Sequence, residues 1–224
     1  NNEPQLIPYI QSCNIACGGH AGDDKSMNFV AEIAIKHQVK IGAHPSYPDR
    51  ENFGRKSMNL EFSDLKTSIQ NQINSLKKIV EDKGSKLYHI KPHGALYNDL
   101  VKNKELSMQF LNIILPYKKE LKLFVPFNSE IEKCALQEGF NIIYEAFADR
   151  NYNDDLSLVS RDKKDAVISN IDVIIKHVFE ILNNGFVTSI TGKKIVIKAT
   201  TFCVHSDTKN AVEIVRNLHQ KFMN

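Results

Sequence analysis

The sequence predicts an α/β protein, an irregular (β/α) barrel of about seven parallel strands in one domain over residues 1–224. Three observations lead there. Short apolar runs alternate with stretches whose apolar residues recur every three or four positions, as strands joined by crossover helices do. The first run lacks the G-x-G-x-x-G turn that opens a nucleotide-binding open sheet, which favours a barrel. Histidines recur just after the apolar runs, at the end of a parallel barrel where active sites are built.

In chain order, Ser12–Ala16 is the first strand-like run. Asp24–His37 reads as a helix with Phe29, Val30, Ile33 and Ala34 inward, followed by a strand at Val39–Ala43. Phe62, Leu65, Ile69, Ile73, Leu76 and Val80 mark an amphipathic helix, with Ser63 as its expected cap and Gly84 as its stop. Leu87–Ile90 is the third strand. A helix over Glu105–Leu115 meets Pro116. Strands at Leu121–Val125 and Asn141–Tyr144 flank a helix from Ser129 to Gln137, and a polar loop runs on to Asp162. A helix is expected over Asp165–Leu182, a further strand over Gly185–Ile190, and a buried strand over Ile195–Ala199. A closing helix over Asp207–Phe222 places Val212, Val215, Leu218 and Phe222 in register.

Composition narrows the function. With 224 residues, 42% of them hydrophobic, the chain can build a core without staples. A net charge of +3 gives no reason to expect nucleic acid or an anionic membrane as partner. No apolar stretch is long enough to span a bilayer. The four cysteines include no C-x-x-C pair, so they read as reduced thiols of a cytoplasmic protein rather than a zinc site. The chain begins Asn1-Asn2-Glu3-Pro4 without methionine, so the natural start is expected upstream.

The reactive side chains follow the strands. The first strand leads into Cys17-Gly18-Gly19-His20-Ala21-Gly22-Asp23, the second into His44-Pro45-Ser46-Tyr47-Pro48-Asp49-Arg50, and the third into Lys91-Pro92-His93-Gly94. Glu145, Asp149 and Arg150 follow the strand at Asn141, and Cys203-Val204-His205-Ser206-Asp207 lies near the end of the chain. One histidine after a strand is ordinarily a loop hydrogen-bonder. Four of the eight (His20, His44, His93 and His205) at the same end of strands point to one pocket. His37, His177 and His219 fall on helices and read as surface or packing residues. Gly18–Ser26 and Thr191-Gly192-Lys193-Lys194 lack the G-K-[ST] of a nucleotide loop. Cys17 beside His20 has the residue types of a cysteine nucleophile, but a small buried residue at a strand end is the preferred reading.

These stretches resemble the LamB/YcsF family. The resemblance is carried by Asn14–Asp23 (NIACGGHAGD), Ile41–Arg55 (IGAHPSYPDRENFGR), Lys91–Asn98 (KPHGALYN) and Glu145–Arg150 (EAFADR), and runs from Leu6 to the last helix. The family opens with an acidic strand, D-x-N-x-D-x-G-E, expected to precede Asn1. The chain also departs from it at Ser206, where the family usually has Gly, and at Asn151, where a second Arg is common.

The resemblance implies a barrel related to the glycoside hydrolase/deacetylase barrels. It also implies the A component of an ATP-dependent 5-oxoprolinase, which opens 5-oxoproline (pyroglutamate) to L-glutamate with partner subunits B and C. Because the chain lacks a nucleotide loop, ATP activation is expected to need those partners. The acid/base candidates are His20, Asp23, His44 and His93. Lys91, Arg55 and Arg150 are candidates for anion stabilisation, and Glu145, Asp149 and His205 for orientation. Asn14, Asp49 and Asn98 join the substrate-binding candidates from the matching stretches. One rival is a metal-dependent deacetylase-like hydrolase, with a divalent ion on His20, His44, His93 and Asp23, although no close pair such as H-x-x-x-H supports it. Another is a non-catalytic carboxylate-binding barrel. The sequence leaves metal binding and a homo-oligomer open.

Overall fold

Strands and helices alternate as the sequence pattern requires. They are α1 (Glu3–Leu6), β1 (Ser12–Ala16), α2 (Asp24–Lys36), β2 (Lys40–His44), α3 (Phe62–Asp82), β3 (Leu87–Ile90), α4 (Gly94–Lys102), α5 (Lys104–Ile114), β4 (Lys122–Val125), α6 (Glu130–Gln137), β5 (Ile142–Phe147), α7 (Ile171–Asn184), β6 (Phe186–Thr188), β7 (Lys194–Val196), β8 (Thr201–Cys203) and α8 (Ala211–Phe222). The computed structural model describes residues 2–223. They fall into two units: Gln11–Val125 with Ser129–Ile142, and the residues up to Ile10 with Pro126–Asn128 and those from Ile143 onward.

In the first unit, β1, β2, β3 and β4 pair in that order, all parallel. Asn14 lies opposite Gly42 and Ala16 opposite His44. The register slips between Ile41 and Gly42 where β2 meets β3. The long helix α3 buries Leu65, Ile69, Ile73, Leu76 and Val80. Each such side chain contributes roughly 1.5–3 kcal/mol when fully removed from water. Gly84, with φ +72°, ends α3 as expected. Its N-cap, however, is Glu61, and Ser63 lies inside the first turn. On α2 the buried residues are Met27, Ala31 and Ala34, while Phe29 is 48% exposed. The sequence pattern expects Phe29 inward, but two residues from Met27 it sits some 200° round the helix. Helix α4 is not foreseen, because Lys91-Pro92-His93-Gly94 reads as a loop and conceals the helix that starts at Gly94.

In the second unit, β5 and β8 run parallel with Glu145 opposite Thr201 and Phe147 opposite Cys203. Ala148, Ile168, Ile174, Val178 and Ile214 form its core. Helix α7 begins at Ile171, not at Asp165, because the Asn170 side chain caps it by accepting from the Val173 amide. The run at Ile195–Ala199 is not a buried parallel strand. Its first part is β7, antiparallel to β6 in a hairpin, with Val196 71% exposed. The parallel strand beside β5 in this unit is instead the short β8, which the sequence pattern conceals. The α/β class with parallel strands and crossover helices is the one the sequence predicts. Among the described residues no helix is long and apolar enough to cross a membrane.

Candidate functional site

Three loops of the first unit follow β1, β2 and β3, and backbone hydrogen bonds hold the second and third together. The His93 amide donates to Pro45 O at 2.8 Å, Ala95 N to Gly54 O at 2.9 Å, and Gly54 N to Asp49 O at 2.7 Å. Gly54 has φ +63° and Gly94 φ +58°. A Cβ on Gly94 would stand 2.4 Å from Gly54 O, so this approach of loop to loop requires glycine. Arg50 ties the first loop down, donating from Nε to Gly18 O at 3.2 Å and from Nη2 to Gly22 O.

His20, His44 and His93 meet within this frame. His20 stacks on His93 with centroids 3.6 Å apart and planes at 7°. His44 stands edge-on to both, at 4.8 Å from His93 and 5.7 Å from His20. The Phe53 ring closes the group, 5.0 Å from His20 and 5.3 Å from His93. His44 Nδ1 donates to Lys91 O at 2.6 Å, and its Nε2 faces His93 Nδ1 at 3.1 Å. His93 Nε2 lies 2.9 Å from Phe53 O. His20 Nδ1 lies 3.0 Å from Ser46 Oγ, and among the described residues its Nε2 makes no hydrogen bond.

Burial sets the charge of the cluster. His20 is 4% exposed, and its pKa is lowered to about 3 by burial, then by His93, Arg55 and Arg50. His44 is pushed well below the ordinary histidine value by burial, with His93, Lys91 and His20 adding to the effect. At neutral pH His20 and His44 are therefore uncharged imidazoles. Among the described residues no group of three or more His, Cys, Asp or Glu side chains is arranged to hold a metal ion. Five of the six ring nitrogens of the cluster already face a partner.

A polar layer lies along β3, where period 2 puts Leu87, His89 and Lys91 on one face. His89 is fully buried, donates from Nε2 to Asn14 Oδ1 at 2.7 Å, and stacks on Phe124 at 3.9 Å. Its Nδ1 is buried without a partner among the described residues. Burial, then Lys91 and Lys40, lowers its pKa to about 3. Lys91 is 3% exposed, with Nζ 5.8 Å from the Tyr97 ring centroid.

The second unit holds its own cluster. Asp149 is fully buried. It accepts from His205 N and from Thr208 Oγ1, and its Oδ1 lies 3.0 Å from His205 Nδ1. Burial alone would raise its pKa, but the bonds from His205 and Thr208 hold it below the ordinary carboxylate value. His205 stacks on Phe147 at 5.4 Å. Glu145 is buried on β5.

Other predicted residues have visible structural duties. Asp23 caps α2 in a reciprocal box with Ser26 and is exposed. Arg150 is buried and donates to Ala166 O at 3.1 Å and Val159 O at 2.6 Å, bracing the loop before α7. Asp49 Oδ1 accepts from the amide and side chain of Asn52. Arg55 is exposed, 5.0 Å from the Phe53 ring centroid. Asn98 is exposed on α4, and among the described residues no hydrogen bond or ring contact joins it to the three imidazoles. His177 packs and donates to Phe147 O, and His219 lies against Tyr9. Sequence reasoning misses His89, Ser46, Phe53 and Gln72. His89 is recoverable, because it lies two residues before Lys91 and so shares its face of β3.

The sequence model of the LamB/YcsF family matches residues 1–224. The chain is 38% identical over 222 residues to the A component of 5-oxoprolinase from Bacillus anthracis (strain CDC 684 / NRRL 3495), covering 99% of this chain and 88% of that one. It is also 38% identical to the protein of the same name from Bacillus cereus (strain Q1), covering 100% of this chain and 88% of the relative. The crystal structure of a lactam utilization protein from Thermus thermophilus superimposes with a TM-score of 0.90 at 28% identity, over 98% of this chain and 88% of that chain. A putative cellobiose-phosphate cleavage protein from Enterococcus faecalis V583 shares the fold alone, with a TM-score of 0.56 and 12% identity over 97% of this chain and 87% of that one.

Proposed function

Because this chain belongs to the LamB/YcsF family, we propose that it is the A component of an ATP-dependent 5-oxoprolinase, working with subunits B and C to open 5-oxoproline to L-glutamate. The observation that carries the reading is the meeting of His20, His44 and His93, from the C-terminal ends of three separate strands, in one group of stacked and edge-on rings. The names of the relatives supply the substrate: one is part of a 5-oxoprolinase, the other a lactam utilization protein.

A lactam resists water because its amide is resonance-stabilised. In the proposed sequence the γ-phosphoryl group of ATP passes to the lactam carbonyl oxygen, releasing ADP, and the partner subunits bring the nucleotide. Water then adds to the ring carbon and gives its proton to a base. The C–N bond breaks, the nitrogen gains a proton, and γ-glutamyl phosphate forms. A second water converts it to glutamate and phosphate.

His20 Nε2 is the proposed base, since it carries a lone pair that no neighbour among the described residues occupies. A pKa near 3 makes it a weak base in the free protein. The negative charge of a bound carboxylate and phosphoryl group raises it, so proton acceptance is strengthened by the substrate itself. Lys91 supplies positive charge for the developing oxyanion, and His44 and His93 supply the proton for the leaving nitrogen.

The test is reconstitution of the full-length protein with subunits B and C, assaying glutamate release from 5-oxoproline with and without ATP. ATP-dependent release that needs this chain supports the reading. Saturable binding of 5-oxoproline with no turnover, partners present, would instead make the chain a binding module.

A further inference from the structure

Gln72 is a polar side chain on the buried face of α3, 6% exposed among Ile69, Ile73 and Leu76. Burying an amide without partners costs about 1–3 kcal/mol by protein mutational data, and this one is fully used. Its Oε1 accepts from Ser46 N at 3.0 Å, and its Nε2 donates to Ser46 O at 2.9 Å and lies 3.1 Å from Ser68 Oγ. The amide therefore grips both main-chain polar groups of Ser46.

Ser46 is itself fully buried, and its hydroxyl donates to Tyr47 O at 2.8 Å. A hydroxyl has one proton to give. Both contacts are hydrogen bonds together only if Ser46 Oγ accepts from His20 Nδ1, 3.0 Å away, which puts the imidazole proton on Nδ1. Nothing larger than hydrogen fits at Gly19, where a Cβ would stand 2.4 Å from both Gln72 Oε1 and Ser46 Oγ.

We infer that Gln72 and Ser46 are positioning residues that hold His20 in the tautomer with Nδ1 protonated and Nε2 bare. The inference rests on the ring-opening reading for its consequence: the bare Nε2 takes the proton of the attacking water as the O–C bond forms. In the other tautomer Nε2 already carries a proton and cannot accept one.

The test joins spectroscopy to kinetics. Two-bond 15N–1H spectra of the full chain with labelled histidine, at pH 7, are expected to show His20 with a protonated Nδ1 and a bare Nε2. Ser46→Ala and Gln72→Leu are expected to lose that pattern. In the enzyme assembled with B and C they are expected to lower kcat about 10²-fold or more with KM little changed, while Ser46→Thr keeps the tautomer and most of kcat. A proton on Nε2 of wild-type His20 overturns the inference, whether or not any variant folds. So does an unchanged tautomer in both Ser46→Ala and Gln72→Leu. If the spectra are as expected but His20→Ala turns over at the full rate, the catalytic reading of His20 falls and the tautomer assignment stands.

Discussion

His44 Nε2 and His93 Nδ1 face each other at 3.1 Å, and the far nitrogen of each ring faces a peptide oxygen, Lys91 O on one side and Phe53 O on the other. Carbonyl oxygens only accept. Three hydrogen bonds in a row therefore need three protons, and two neutral imidazoles carry two. Burial, then His93, Lys91 and His20, keep His44 uncharged at neutral pH, so all three bonds form together only when a third proton joins the pair.

An anion bound beside the pair offsets the cost of that third proton. Binding of 5-oxoproline is expected to be accompanied by proton uptake near neutral pH. Calorimetry in two buffers of different ionisation enthalpy measures it directly, and a heat of binding identical in both contradicts the expectation.

His93→Ala is expected to lower ring opening by about 10²–10⁴-fold, the usual contribution of a placed acid or base. The fold should survive, because His93 is only partly buried. Glutamate release by the assembled enzyme, with circular dichroism as the folding control, decides it. Wild-type turnover would remove His93 from the chemistry.

Stability should fall on acidification through a known window. His20 and His89 have folded pKa values of about 3, and His44 lies well below the ordinary 6.5. Below about pH 6.5 the unfolded chain binds protons that the folded chain refuses, so unfolding becomes easier from there down towards pH 3. Each such histidine costs up to about 1.4 kcal/mol per pH unit. Urea midpoints at pH 7, 5.5 and 4.5 test this, and a flat profile would contradict neutral burial of the three rings.

Gly42→Ala is expected to disrupt the polar layer. Its Cβ would stand 2.0 Å from His89 Nε2, and His89 is wedged between Asn14 and Phe124. Overpacking of this kind costs about 1–3 kcal/mol, occasionally more. The readout is the denaturant midpoint, with His89→Ala in the Gly42→Ala background relieving part of the loss. No change in midpoint would mean that β2 and β3 part freely.

Asp149→Asn removes a carboxylate that receives three donors from His205 and Thr208. The amide that replaces one oxygen meets a donor instead of an acceptor, at a cost of about 1–3 kcal/mol. Thr208→Val should cost less, on the order of 1 kcal/mol. Thermal denaturation ranks the two, and equal losses would assign the effect to packing around Thr208.

Much of this is legible in the sequence, and the exceptions have physical causes. Strands β1 and β3 and helix α3 announce themselves by periodicity, and the histidines after them by position. Strand β8 does not, since three residues are too few to show a period and its identity depends on pairing with β5. The sequence pattern starts helix α7 too early because the cap at Asn170 outweighs the propensity of the preceding residues. Gln72 and Ser46 escape notice for opposite reasons. One is a polar residue on an apolar face, which sequence reading discounts; the other sits in a turn-rich segment, which it reads as loop. Their importance lies in partners 26 residues apart in sequence, which only the folded chain brings together.

Cys17 stands three residues before His20, buried, with its thiol pushed up to about 12 by that burial. With the thiol pushed up so far, very little of it at pH 7 is the thiolate that electrophiles and peroxides attack. Alkylating reagents should therefore leave this position untouched while the chain is folded, and label it as soon as the chain opens, which makes Cys17 a built-in reporter of unfolding beside the imidazoles.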